Sequence, residues 1–481
     1  MIELAVAAAL ACVLLAAVVL RPELAVMGLG VFLFVQSALI RLDVIPHEVR
    51  DLISRTDEVV LLMLVLRMAV FDLMRRRVSI LLPLWMLAAF SVFGAASAIA
   101  NGVSPMPAAL GLYLTLKAGM WTYVGYHLRV DQRTVVLYAH VLGGLFIGAV
   151  LVAALQFVGV SLPWAPHTRP LSGEIAATSI FNQHTVFGSA LTVAAGLGVL
   201  ALRLPGERRA GLALLAVSAV GIFLSSVRRV FVSLPAAAAV VVTLLPAEER
   251  RALGRQVALL RRPAVMALVA VGLLAFAVLI GPRLARLAAS AWDQYVVDLA
   301  SRDRFQLYEG AVRLLSDSPL LGRGPGTYGS YPTVVFGSPA YAEVGVILRD
   351  GLKMGAPYAS LAGEYGLYGL IAFGAFVILL LRELVPIARG YAGSVVGALA
   401  VAGIFMLVDM SIESFVHVTY ANSFIAFFVF SGIGAAISMH RAGEGGEPWD
   451  HRLVGTAPRV LATGAAVGLI MLLVPAVLVL S

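Results

Sequence analysis

Long runs without charge restrict what this chain can fold into more than any single motif does. The stretch Val135–Val160, VVLYAHVLGGLFIGAVLVAALQFVGV, contains no Asp, Glu, Lys or Arg. Apolar runs beyond about 18 residues read as membrane-spanning helices, because only a helix or a closed barrel satisfies its backbone polar groups inside hydrocarbon. About 14 such segments recur, near 2–20, 24–40, 58–74, 79–99, 108–126, 134–160, 183–202, 210–226, 230–246, 263–281, 357–381, 391–411, 419–439 and 457–480. Composition agrees. Hydrophobic residues make up 60% and charged residues 13%, against about 45–50% and about 25% in soluble domains. An ordinary soluble enzyme, a disordered chain and a nucleic-acid-binding domain are excluded. The single cysteine, Cys12, excludes an intramolecular disulfide and a Cys-based metal site. The N-terminus lacks a basic n-region, so its first apolar segment is expected to be a retained span.

Net charge is +8, from 35 Lys+Arg against 27 Asp+Glu, and only Lys117 and Lys353 are lysines. The arginines set the orientation. Arg75–Arg77, Arg129 and Arg133, Arg203 to Arg209, Arg250 to Arg262, and Arg382 to Arg389 all fall on one side if every segment crosses. That side is expected to be cytoplasmic. The loops 100–107, 161–182, 227–229, 282–356 and 412–418 then face outward. The chain thus divides into an N-terminal transmembrane bundle (1–281), a loop domain (282–356) and C-terminal transmembrane helices (357–481). The loop far exceeds the usual limit of about 12–15 residues and is rich in Tyr, Val and Leu, so a folded, mostly helical outward cap is expected. Within it, Ser301 and Asp303 signal a helix start, Phe305, Tyr308, Val312 and Leu315 form an apolar stripe, and Asp317-Ser318-Pro319 is a stop.

Charges inside spans are costly and tend to be functional. Lys117 lies mid-span, Glu364 lies in SLAGEYGLYG, Asp409 and Glu413 stand four apart near an outward end, and Arg67 with Asp72 reads as an internal pair. Outward arginines are the second signal. FLSSVRRVF puts Arg228 and Arg229 in a very short turn, where Arg228 suits anion binding and Arg229 either shares it or snorkels to headgroups. Arg304 falls on the first turn of the loop helix, where the helix N-terminus adds partial positive charge. Arg169, Asn182, His167 and His184 make another outward polar cluster, without carboxylates at metal-ligand spacing. GRGPGTYG matches no nucleotide-binding fingerprint and reads as a tight turn where backbone approaches another group.

These elements resemble those of the bacterial O-antigen ligase and O-antigen polymerase superfamily. LSSVRRV resembles L-S-x-S-R-G. SRDRFQLYEGAVRLLSDSPLLGRGPGTYG is similar to R-x-x-x-W…P-L-L-G-x-G-x-x-x-[FY], with Tyr308 at the Trp position. RPLSG…FNQH resembles R-x-x-G…N, and YASLAGEYGLYG resembles Y-L-x-x-x-x-E-x-G-x-x-G. They occur in family order from about Arg169 to Gly369. The resemblance implies an all-α, GT-C-like polytopic membrane protein of about 12–14 transmembrane helices with a helical periplasmic loop domain. It implies a metal-independent glycosyltransferase of the bacterial inner membrane, without cofactor, working on the periplasmic face. Its donor would be a glycan on undecaprenyl diphosphate, its acceptor a glycan or lipid A–core, with membrane lipids around it and no nucleic acid. Arg228 and Arg304, with Arg169, carry over as the diphosphate-holding arginines, Asn182 and Tyr308 fall on family motif positions as expected substrate contacts, and Lys117 and Arg229 are expected substrate contacts from their charge and placement. The acceptor's base would be Glu364 or Asp350, or a neutral Lys353. Ligases of the family carry His-Asn nine and eight residues before this Glu, where the present chain has Gly355 and Ala356. That departure favours a polymerase over a ligase. A lipid-linked oligosaccharide flippase is the rival of a different class.

Overall fold

The structure is a computed structural model. It describes residues 16–40, 47–75, 81–160, 176–181, 183–245, 303–346, 354–417 and 422–443, with 420, 447, 449, 461–463, 465 and 466. Its elements are α1 (Pro22–Ile40), α2 (His47–Met74), α3 (Leu82–Ala100), α4 (Pro105–His127), α5 (Gln132–Phe157), α6 (His184–Arg203), α7 (Arg208–Ser225) and α8 (Val230–Leu244). After a gap come α9 (Asp303–Asp317), α10 (Tyr331–Phe336), α11 (Ala340–Glu343), α12 (Pro357–Gly390), α13 (Val395–Glu413) and α14 (Ser423–Arg441). No strand occurs among the described residues, and eight helices are long and apolar enough to cross a membrane: α1, α3, α5, α6, α7, α12, α13 and α14. The protein is therefore an all-α, polytopic membrane protein. The apolar segments 263–281, most of 2–20 and most of 457–480 lie outside the described residues.

The bundle is organised around α13. Nearly every side chain from Val395 to Met410 is buried, against α6, α8, α12 and α14. Water is no alternative for a polar group here, so close backbone approach between helices depends on small residues. α4 and α14 show this. A Cβ on Gly125 would lie 2.1 Å from the Ser431 carbonyl oxygen, and one on Gly434 would lie 2.3 Å from that of Thr122. Phe34, Phe146 and Phe424 close the gap between α1, α5 and α14, with edge-on rings 4.7 and 5.0 Å from Phe34.

One expected pair does not form. Arg67 donates to the Val19 carbonyl (3.0 Å) and lies over the Phe71 ring, whereas Asp72 binds His127 (2.9 Å) and Tyr123 (3.0 Å). Five residues of helix separate Arg67 from Asp72, which turns them to different faces. Only spacings of three or four bring side chains together.

The cap helix α9 runs between the expected limits, but its buried face differs from the expected stripe. Leu307, Ala311 and Leu314 are buried with Tyr328 and Tyr341, while Phe305 and Val312 are exposed. Two apolar stripes run along α9. Close contact with Tyr328, whose hydroxyl donates to the Leu307 carbonyl (2.8 Å), selects the second one.

Beside this cap α12 is broken. Gly366 has φ 65° and ψ −159°, which interrupts the helical ladder. The chain segment from Pro319 to Gly324 repairs it. Leu367 N–H donates to the Pro319 carbonyl (2.8 Å), and the Arg323 and Gly324 N–H groups donate to the Gly363 and Glu364 carbonyls (2.9 and 2.8 Å). Gly322, at φ 62°, packs so tightly against the break that a Cβ would meet the Glu364 carbonyl carbon at 2.5 Å. The tight turn with close backbone approach expected of GRGPGTYG is thus present.

Gly366→Ala should lower the melting temperature in detergent. The backbone conformation alone costs a side chain roughly 1–3 kcal/mol, and a Cβ would also meet the Leu320 carbonyl oxygen at 2.6 Å. Gly374→Ala, on the same helix with open space around its Cβ, should be neutral or stabilising. Equal melting temperatures for the two variants would show that the break is not held as described.

Candidate active site

The turn between α7 and α8 is short because Ser226 adopts the left-handed conformation (φ 57°) and ends α7 at once. Arg228 and Arg229 are therefore delivered at the mouth of the bundle, and both are partly buried. Arg229 folds inward. Its Nη2 donates to the Thr185 carbonyl (2.9 Å) and the Ser189 hydroxyl oxygen (2.7 Å), and its Nε lies 3.5 Å from Glu413 Oε2. The Ser189 hydroxyl in turn donates to Glu413 (2.6 Å), and one helical turn away the Thr192 hydroxyl donates to Asp409 (2.6 Å). The carboxylate pair seen in the sequence at a span end thus meets an arginine of the short turn. Together they lock the ends of α6, α8 and α13. A buried ion pair gains little net energy, but loss of one partner leaves an uncompensated charge.

The second arginine arrives from the cap. Arg304 and Tyr308 stand four residues apart on α9, on neighbouring turns of one face. Tyr308 donates its hydroxyl to the Phe415 carbonyl (2.8 Å). Burial, then the neighbouring Tyr358, pushes the Tyr308 phenol up to about 12, with Arg304 opposing the shift. Tyr358 packs its ring 4.7 Å from Phe415 and donates to the Ser411 carbonyl (2.9 Å). These contacts hold the segment 414–417 against the cap helix and α12.

His417 is the residue that sequence reasoning missed. Its N–H donates to the Glu413 carbonyl (3.0 Å), extending α13 by a turn. Burial first, and then the charges of Arg229, Arg304 and His184, hold its imidazole well below the usual histidine range. Its Nδ1 is shut off from solvent and has no hydrogen-bond partner among the described residues. The residue as a whole is partly buried. The available signal was a histidine four residues beyond an intramembrane Glu, at an outward span end.

The structure therefore brings Arg229, Arg304 and Tyr308 together with His184, Glu413 and His417, and places Arg228 on the same turn as Arg229. Two other expected site residues sit elsewhere. The Glu364 carboxylate is buried under the Gly-rich loop, where it accepts from Tyr328 N–H (3.0 Å) and from the Ser330 hydroxyl at very short range. Lys117 is fully buried and donates to Asp57 (3.1 Å) and Ser423 (2.5 Å), with Glu58 at 3.9 Å, so its ammonium ties α4 to α2 and α14. Arg169, Asn182, Asp350 and Lys353 lie outside the described residues, as does His167. Among the described residues no group of three His, Cys, Asp or Glu side chains is placed to hold a metal ion.

The Lys117 contacts generate a test. Lys117→Met should destabilise the protein by about 3–5 kcal/mol, because Asp57 is left buried and unpaired, while Lys117→Met with Asp57→Leu should recover most of that loss. Thermal melting in detergent reads both. A double variant as unstable as the single one would remove the ion pair as the cause.

The cluster is rich in arginine, with Arg228 and Arg229 on the α7–α8 turn and Arg304 on the cap helix beside the segment that carries His417, and with Glu413 against Arg229. Such an arrangement suits a phosphorylated ligand, since arginine stays charged and can bind phosphate oxygens through two parallel hydrogen bonds. Its parts, the LSSVRRV turn, the helix bearing Arg304 and the PLLGRG segment, are the motifs whose order resembles one superfamily. No curated protein matches the chain. Residues 210–346, which span the turn, the cap helix and the Gly-rich loop, match the family model for O-antigen ligase.

Proposed function

We propose that this protein is a periplasm-facing glycosyltransferase of the bacterial inner membrane that takes a glycan from undecaprenyl diphosphate and adds it to another lipid-linked glycan, as a polymerase. The observation that carries this reading is that the α7–α8 turn and the cap helix both reach the segment 413–417, where Arg229 pairs with Glu413 and Tyr308, one helical turn from Arg304, donates to the Phe415 carbonyl. Glycosyl transfer from a diphosphate asks little acid help of the enzyme. What it needs is stabilisation of charge on the departing phosphate, by donors already in place. Arg228, Arg229 and Arg304 meet that need, because two elements grip the diphosphate from opposite sides and Glu413 fixes the direction of one of them. The Glu364 carboxylate serves in this reading by holding the Gly-rich loop in shape, through Tyr328 and Ser330.

The preference for a sugar acceptor over lipid A–core rests on the flank at Gly355 and Ala356. Gly355 has φ 128° with open space around its Cβ position among the described residues, and Ala356 is buried. A small, uncharged flank suits a neutral glycan better than an anionic lipid. The orientation rests on arginine distribution. A reporter fused at Glu248 is expected to behave as cytoplasmic and one at Ser338 as periplasmic, and finding both on one side would refute it.

Purified protein in detergent, given undecaprenyl-diphosphate-linked repeat units and lipid A–core, is expected to build polymer ladders on undecaprenyl diphosphate. Transfer to lipid A–core alone would make it a ligase. Absence of any reaction in detergent, with translocation in sealed vesicles, would make it a transporter. Arg228→Ala and Arg304→Ala should each lower turnover by about 10²-fold or more, in keeping with loss of one preorganised donor. The Lys variants should recover only part, because a point charge replaces the two-pronged fork. Chelators should leave the wild-type rate unchanged.

A further inference from the structure

On the reading of this protein as a glycosyltransferase, we propose that the His417 imidazole is the general base that takes the proton from the acceptor hydroxyl. From α13, the Glu413 carbonyl accepts from the His417 main-chain N–H (3.0 Å), while the Glu413 carboxylate is held by Arg229 and Ser189. From α6 comes His184, from the α7–α8 turn Arg229, and from the cap helix Arg304. No carboxylate contacts the ring among the described residues, and Nδ1 is buried with no hydrogen-bond partner there. A buried polar atom left unpaired costs about 1–3 kcal/mol. His127 avoids that cost by pairing with Asp72 and the Tyr123 carbonyl, and His140 pairs through Nε2 with Glu207, although its Nδ1 and that of His440 are, like that of His417, buried without a partner among the described residues. His417 lies two residues from Phe415, whose carbonyl holds Tyr308 of the cap helix, and four from Glu413, which holds Arg229, so in this reading the diphosphate and its anomeric carbon lie beside it.

The chemistry balances without another reactant. The acceptor O–H gives its proton to the imidazole as its oxygen bonds to the anomeric carbon. The bond from that carbon to the diphosphate oxygen breaks, and undecaprenyl diphosphate leaves with the electron pair. The imidazolium then returns its proton to the leaving group or to water. The arginines give this base a dependence on substrate. With the site empty, burial and two guanidinium charges keep the ring neutral, and therefore competent, through and below the ordinary histidine value of 6.5. With donor bound, the diphosphate offsets those charges and the ring becomes more basic, when it has a proton to accept. The acid limb should therefore lie at higher pH in kcat, which reports the bound enzyme, than in kcat/KM, which reports the free one.

The test uses the full-length protein in detergent. His417→Asn and His417→Ala are assayed for glycan transfer, for binding of undecaprenyl diphosphate and for thermal stability. The expected result is a loss of kcat of about 10²–10⁴-fold, the usual contribution of a positioned base, with undecaprenyl diphosphate affinity and melting temperature close to wild type. Added imidazole should restore part of the His417→Ala rate, and the acid limb of His417→Asn should vanish. A wild type that transfers glycan while His417→Asn keeps its rate and its acid limb overturns the assignment alone. Parallel loss of donor binding and stability in both variants, without imidazole rescue, overturns it in favour of a structural histidine. A wild type that transfers nothing refutes the glycosyltransferase reading, and the base with it.

Discussion

The break in α12 at Gly366 is the constraint on which the rest of the structure depends. Inside a membrane an interrupted helix leaves backbone groups that no solvent can satisfy. Here the 319–324 segment satisfies them, by donating to the Gly363 and Glu364 carbonyls and accepting from Leu367 N–H. The cap is thus joined to the bundle by main chain, and not by side-chain contact alone. That explains why glycines crowd both partners. Gly322 and Gly366 sit where a Cβ would strike opposing backbone at 2.5 and 2.6 Å. The Glu364 carboxylate completes the arrangement by accepting from the far end of the same loop, at Tyr328 and Ser330. A carboxylate so enclosed holds a loop in shape.

Once the cap is fixed, a single hydrogen bond carries its orientation to the chemistry. Tyr308 reaches the Phe415 carbonyl, two residues before His417, while Arg304 stands one turn earlier on the same helix. On the other flank Arg229 is directed by Glu413 and Ser189. Arginines brought close together repel, and the neighbouring carboxylates offset only part of that. The surplus positive charge is the quality an anionic ligand would exploit. It is also what holds His417 well below its usual range.

Much of this was legible in the chain itself, and the parts that were not share a cause. The membrane architecture followed from uncharged runs, and the limits of the cap helix followed from Asp303 and from Asp317-Ser318-Pro319. Arg229 and Glu413 were each visible as charges at outward span ends. Their pairing was not, because nothing local relates α8 to α13. His417 escaped notice for the same reason: its neighbours come from α6, the α7–α8 turn and α9. The buried stripe of α9 was misjudged because its sequence carries two apolar faces, and only contact with Tyr328 tells them apart. Lys117 illustrates the converse, since an intramembrane lysine reads as a ligand-binding charge until Asp57 and Ser423 are found against it.

The central claim is that the cluster of Arg228, Arg229, Arg304 and His417 holds a lipid-linked diphosphate with its sugar toward the imidazole. The most direct measurement is an experimental structure of the protein in lipid nanodiscs with an undecaprenyl-diphosphate-linked glycan bound. The account predicts diphosphate density within hydrogen-bonding distance of guanidinium groups from both the α7–α8 turn and the cap helix, and the anomeric carbon beside His417. Diphosphate bound elsewhere, with these arginines still paired only to protein groups, would contradict it.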